Sequence, residues 1–171
     1  MDAYIVKAYR TAVGKAGRGF FKNYRSDELA AAVIRKLVED TEGLTPNMVE
    51  DILVGCANPE GEQGLQTGRQ IALLALGKEV PGITINRYCA SGLETISIAV
   101  AKIRAGMGSC YIAGGAESMS MIPMTGYKLA PNYNVAKNTP DYVVSMGLTA
   151  EAVARKYGVS REDCDLFSLR S

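Results

Sequence analysis

Short β-branched runs alternate with longer helix-patterned stretches along the first two thirds of the chain, and that alternation limits the folds open to it. Asp51-Ile52-Leu53-Val54-Gly55, Ile83-Thr84-Ile85 and Cys110-Tyr111-Ile112-Ala113 are too short for helices and read as strands. Ala3-Tyr4-Ile5-Val6-Lys7-Ala8 reads as a further short, buried strand. Between these runs Leu29, Val33 and Leu37 give one apolar helical face through Val38. Ser26 is placed to cap that helix, with Asp27 and Glu28 in its first turn. Thr45-Pro46 has the form of a helix start, and Arg69 to Leu76 reads as an apolar helix stopped by Gly77. A third helix, from about Cys89 to Ala105 and ended by Gly106, is apolar nearly all round, the pattern of a central, buried helix. Strands alternating with helices predict an α/β domain around a largely parallel sheet.

Composition excludes several functions. Basic and acidic side chains nearly balance, 19 against 18, which argues against a chain built to hold nucleic acid or an anionic membrane surface. No apolar run approaches the ~20 residues that span a bilayer, so no membrane insertion is expected. Met1-Asp2-Ala3-Tyr4 lacks the basic and apolar regions of a secretory signal, leaving the cytoplasm as the expected location. With 171 residues, 47% of them hydrophobic, a domain can bury roughly 70% of its unfolded surface.

There is no histidine, so neither a Cys-His pair nor a histidine-ligated metal site can be built from this chain, and no metal is expected. The four cysteines, Cys56, Cys89, Cys110 and Cys164, contain no C-x-x-C and read as free thiols. The basic, glycine-rich Arg10 to Gly19 invites a phosphate-loop reading. Gly14-Lys15 is followed by Ala16 rather than Ser or Thr, however, and a surface loop fits better. From Glu117 the character changes: Met119, Met121 and Met124 cluster, Pro131 to Val135 is loop-like, and two short helices follow, Thr149 to Tyr157 and Ser160 onward, the second with a Ser160-x-x-Asp163 capping pattern. Arg170-Ser171 falls in mid-helix with no glycine or proline to end it, as expected of a piece of a longer chain.

Cys89 is the position where chemistry is expected. It sits between a strand and the first turn of a helix, where backbone N–H groups favour a thiolate and can serve an oxyanion. Ala90, Ser91 and Gly92 leave room for a substrate, and ligands bind at the carboxyl ends of parallel strands. A nucleophile fits these features. A small buried cysteine with no chemistry fits them equally well. Cys56, Cys110 and Cys164 read as packing, and the methionines of 119–124 as core or as lining of an apolar pocket.

Ile85-Asn86-Arg87-Tyr88-Cys89-Ala90-Ser91-Gly92-Leu93-Glu94-Thr95-Ile96 resembles the active-site cysteine signature of the thiolase family. Three further segments resemble that family in its order: Arg10-Thr11-x-x-Gly14, Gly114-Gly115-Ala116-Glu117-Ser118-Met119-Ser120 and Met146-Gly147-Leu148-Thr149-Ala150-Glu151. The resemblance covers essentially the whole chain. It implies an α/β fold: a thiolase-like αβα half with a mixed, mostly parallel sheet over residues 1–118, then the start of an inserted loop domain over 119–171. It implies that Cys89 takes the acyl group as a thioester, with CoA and acyl-CoA as substrates and no permanently bound cofactor. The activating histidine, the acid/base cysteine and a second oxyanion-hole histidine would lie in the family's second half, so this chain alone should not complete turnover. Met146 resembles a loop-domain methionine bordering the acyl pocket.

Met119 to Tyr127 resembles the degradative, 3-oxoacyl-CoA branch more than the acetoacetyl-CoA-forming, biosynthetic one. Ser145 stands where many short-chain biosynthetic members carry histidine, which points the same way. A decarboxylating ketoacyl synthase and a non-catalytic acyl-CoA-binding or assembly subunit are the rival readings. The resemblance implies a homodimer or higher homo-oligomer formed through the first half and the remainder of the thiolase chain as a partner. The Ile71 to Leu76 helix is a candidate for the dimer contact or for plain core burial.

Overall fold

The computed structural model describes residues 2–171, which divide into two compact units, one ending at Lys128 and one of Leu129–Ser171. In the first unit β1 (Asp51–Gly55) is the middle strand of a three-stranded, wholly parallel sheet, flanked by β2 (Gly82–Ile85) and β3 (Tyr111–Gly115). Side chains of successive strand residues point to opposite faces. Ile52 and Val54 join Ile34 of α1 (Ser26–Glu39) and Ile71 and Ala72 of α2 (Thr67–Ala75) in the main apolar cluster. The other face takes α3 (Ser91–Arg104), packed on β1 and β3. The result is the αβα layering expected, with the parallel connections supplied by helices.

Several sequence expectations need correction. Residues 3–8 form no strand: Tyr4, Ile5 and Val6 are exposed, and β3 carries no further paired strand. The segment is tied instead to the end of α1, where the Tyr9 hydroxyl donates to the Asp40 carboxylate at 3.0 Å and Lys7 Nζ donates to the Asp40 carbonyl. A cavity of about 320 Å³ lies where Tyr9 to Val13, α1 and β3 approach one another. Leu29, Val33 and Leu37 line it and are only half-buried. Ala31, Ile34 and Val38 are the buried apolar positions of α1.

Ser26 does not cap α1. It is the first helical residue, and its hydroxyl donates to the Gln63 Oε1. Thr45-Pro46 opens a single 3-10 turn, Pro46–Met48, rather than a longer helix. Pro131 to Val135 is not all loop, because Asn132 caps a short α4 (Tyr133–Asn138) by accepting from the N–H groups of Asn134 and Val135.

α3 is the largest correction. It begins at Ser91, and instead of being buried all round it buries only Ser91, Thr95 and Ala99. Leu93 is 72% exposed, and Ile96 and Ser97 are exposed beside it. Small residues face the sheet because the backbones nearly touch. A Cβ on Gly55 would stand 2.6 Å from the Ser91 carbonyl carbon and 2.8 Å from the Gly92 nitrogen. At its other end α3 is held by the Lys102–Asp51 ion pair, 3.0 Å long and partly buried.

The second unit holds α4, a 3-10 turn at Pro140–Val143, α5 (Met146–Tyr157) and α6 (Arg161–Arg170). α5 is capped by Ser145 and ends at Gly158, whose φ of 67° suits glycine. α6 carries the expected capping box between Ser160 and Asp163. None of these helices has a buried residue. No helix among the described residues is long and apolar enough to cross a membrane.

Candidate active site

The carboxyl ends of β1, β2 and β3 bring three loops together: Cys56 to Asn58, Asn86 to Ala90, and Ala116 to Ser118. Their backbones are stitched to the sheet by Cys56 N–H to the Ile85 carbonyl and Ala116 N–H to the Gly55 carbonyl, each 3.0 Å. Cys89 lies in the middle loop, between β2 and α3, and is exposed. It precedes the helix rather than opening it. The Ala90 and Ser91 N–H groups are turned back onto the Arg87 and Tyr88 carbonyls at 3.1 and 3.0 Å, closing a tight turn around the cysteine.

That turn is held at several points. Tyr88, directly before Cys89, has a φ of 46°, a left-handed conformation unusual for a residue with a Cβ. Its N–H donates to Asn86 Oδ1 at 2.8 Å. The Ser91 hydroxyl donates to the Tyr88 carbonyl at 2.6 Å and accepts from the Arg87 N–H at 2.9 Å. Thr95, fully buried, donates to the Gly92 carbonyl at 2.7 Å and lies 3.2 Å from that of Gly114. Arg87 is engaged with Glu94 at 2.8 Å, and that carboxylate, by hydrogen bond and by charge, holds the guanidinium pKa above its usual range.

Beside the turn sits a polar cluster built on Gln63, which is fully buried. Its Nε2 donates to Glu117 Oε1 at 2.6 Å and to the Asn58 carbonyl at 2.9 Å. Its Oε1 accepts from the Ser26 hydroxyl and the Ser118 N–H. Both ends of the amide are thereby satisfied, as burial requires. Glu117 also accepts from the N–H groups of Ala57 at 2.6 Å and Asn58 at 3.3 Å. Cys56 lies in the same cluster. Burial, and then the charge of Glu117, push its thiol up to about 12, so it stays protonated and unreactive.

Cys110, half-buried, is also shifted up, by burial and then by the charge of Glu50. Cys164 is exposed on α6 and does not pack. Met119 and Met124 are exposed, while the neighbouring Ile122 is the buried apolar residue of that segment. Met146 belongs to the second unit, exposed at the start of α5. Asn86, Gln63 and Glu117 receive no role from the sequence, although Asn86 stands directly after β2 and Glu117 two residues after β3. A polar residue at the carboxyl end of a parallel strand is the signal that marks them. No group of three or more Cys, Asp or Glu among the described residues is arranged to hold a metal.

Comparison with known proteins follows the same lines. The family model described as the N-terminal domain of thiolase matches residues 3–171. A 3-ketoacyl-CoA thiolase of Bacillus subtilis is 49% identical over 171 residues, covering 99% of this chain and 44% of that protein. One from Chromohalobacter salexigens is 40% identical, covering 99% of this chain and 43% of its own length. One from Marinobacter nauticus is 39% identical over 172 residues, with 99% and 44% covered. The chain thus spans less than half the length of these relatives.

Proposed function

Because the chain belongs to the thiolase family through that family's N-terminal domain, we propose that it supplies the nucleophile of a thiolase acting on 3-oxoacyl-CoA. The observation that carries this is the placement of Cys89: exposed, in a left-handed turn between β2 and α3, at the carboxyl end of a parallel sheet. The Cys89 thiolate adds to the keto carbon of the substrate, and the bond between the α carbon and that carbon breaks. The departing acetyl-CoA carbanion takes a proton, and the shortened acyl group remains on Sγ as a thioester. The thiolate of a second CoA attacks the thioester carbonyl, releasing acyl-CoA and the Cys89 thiolate. Sulfur suits both halves, as a strong nucleophile and a good leaving group. The reverse direction is a Claisen condensation.

The protons in these steps need groups this chain lacks, since it has no histidine and Cys56 and Cys110 are shifted away from reactivity. We assign them to a second half of the polypeptide. The outward apolar side of α3, with Leu93 and Ile96 exposed, is the surface such a half would cover. Residues 1–118 are taken as the first αβα domain and 119–171 as the start of the loop domain, with Met146 bordering the acyl pocket. The degradative, 3-oxoacyl-CoA branch is favoured by the Met119 to Tyr127 segment, and the relatives are named 3-ketoacyl-CoA thiolases. A cytoplasmic homodimer or higher homo-oligomer completes the reading. Leu73 and Leu74 of α2 are exposed and available to such a contact, while Ile71 and Ala72 are core.

The test is a thiolysis assay on the full-length polypeptide with 3-oxoacyl-CoA of graded chain length, alongside a malonyl-thioester decarboxylation assay. Cys89-dependent cleavage without decarboxylation is expected. Decarboxylation alone would move the reading to a ketoacyl synthase, and neither activity to a binding subunit.

A further inference from the structure

Three hydrogen bonds run in series from a carboxylate to the turn that carries Cys89. Glu117 Oε2 accepts from the Ala57 N–H at 2.6 Å, the Ala57 carbonyl accepts from Asn86 Nδ2 at 3.0 Å, and Asn86 Oδ1 accepts from the Tyr88 N–H at 2.8 Å. We propose that Glu117 and Asn86 are positioning residues for Cys89, with Glu117 fixing the loop after β1 and Asn86 transmitting that position to the strained Tyr88–Cys89 turn. This rests on the reading of Cys89 as the nucleophile.

The geometry gives each link a reason. Tyr88 holds a φ of 46° that a residue with a Cβ adopts only under constraint. The constraint on its N–H side is the Asn86 carboxamide, and the orientation of that amide is set by its other end, on Ala57. Ala57 belongs to a loop rather than to a strand, and its carbonyl shares a peptide plane with the Asn58 N–H. The N–H groups on both sides of that carbonyl, of Ala57 and of Asn58, donate to Glu117. Glu117 in turn is held by the fully buried Gln63, whose five side-chain hydrogen bonds, one of them to Cys56 Sγ, leave its amide one orientation. The N–H groups of Ala57 and Asn58 and the Gln63 amide converge on this one carboxylate. A carboxylate meets all three with lone pairs, whereas an amide would turn an NH2 towards one of them. A displacement of about 1 Å at a reacting atom can cost roughly a hundredfold in rate. A series of this kind therefore acts on Cys89 without either side chain having to touch it.

The experiment compares alkylation of Cys89 with that of Cys164 by iodoacetamide, read by peptide mass spectrometry on the full-length polypeptide. Both thiols are exposed, so Cys164 reports reagent and Cys89 reports the turn. In the unmodified protein Cys89 should react faster. Asn86→Ala should lower the Cys89/Cys164 ratio about tenfold and Glu117→Gln severalfold, with kcat falling and KM for the acyl-CoA retained. The double variant should be no worse than Asn86→Ala alone, because links in series are not additive. A ratio unchanged within twofold in both single variants, or a fully additive double variant, overturns the positioning. If Glu117→Gln fails to fold, the exposed Asn86 carries the test alone. An unmodified Cys89 no faster than Cys164 overturns the nucleophile reading and this inference with it.

Discussion

Cys89 and Cys56 are the same residue type in opposite surroundings. Cys56 is buried beside Glu117, both of which disfavour a thiolate, whereas Cys89 stands exposed in a turn. Replacing Cys89 with Ser should lower thiolysis by on the order of a thousandfold or more, by analogy with removal of other enzymes' nucleophiles. It should leave the urea unfolding midpoint unchanged. Cys56 predicts a pH effect whose sign is fixed by its raised value. Its folded form keeps the proton up to about 12, while the unfolded thiol loses it near 9. Between those values the unfolded state binds fewer protons, so stability falls as pH rises. Below about pH 9 the group contributes nothing to the slope. Urea midpoints measured from pH 8 to 11 should therefore decline, and Cys56→Ala should flatten the decline. An equally steep decline in the variant would assign it to other groups.

At the scale of elements, the close contact between β1 and α3 fixes where α3 begins. A Cβ at Gly55 would meet backbone atoms of Ser91 and Gly92, which cannot swing aside as a side chain does. Gly55→Ala should cost about 1–3 kcal/mol in chemical denaturation and slow Cys89 alkylation by shifting the start of α3. Full stability together with a normal Cys89 rate would contradict the packing described. Ser160→Ala removes the capping box of α6 and about 0.5–2 kcal/mol of helix stability. Because α6 buries nothing, the effect should appear as faster amide exchange confined to α6, with the first unit unmoved.

The strands β1, β2 and β3 and the helix α2 were legible because each has a short apolar run or period bounded by polar or glycine residues. What was not legible came from tertiary context. The segment 3–8 has a strand's composition but no ladder, and its anchors, Lys7 and Tyr9 on Asp40, are polar contacts that no apolar pattern announces. The burial of α3 is not legible, because an all-round apolar pattern implies that Leu93 and Ile96 are buried, whereas close backbone approach puts Ser91, Thr95 and Ala99 against the sheet. Cys89 stood out in the sequence through its neighbours. Asn86, Gln63 and Glu117 did not, since hydrogen-bond partners so far apart in the chain leave no local period.

For the molecule as a whole, the proposal is that Cys89 is a nucleophile whose proton-transfer partners are not among these residues. The chain carries no histidine and spans less than half of its relatives, and the outward side of α3 is apolar and exposed. Under that proposal the chain's chemistry depends on polypeptide beyond these residues. Intact-protein mass spectrometry after incubation with acetyl-CoA tests this most directly, run on the 171-residue chain, on the full-length polypeptide and on its Cys89→Ala variant. An acetyl adduct is expected on the full-length polypeptide alone, mapped to Cys89 and lost in the variant. No adduct on the full-length polypeptide, or one that survives Cys89→Ala, would contradict it.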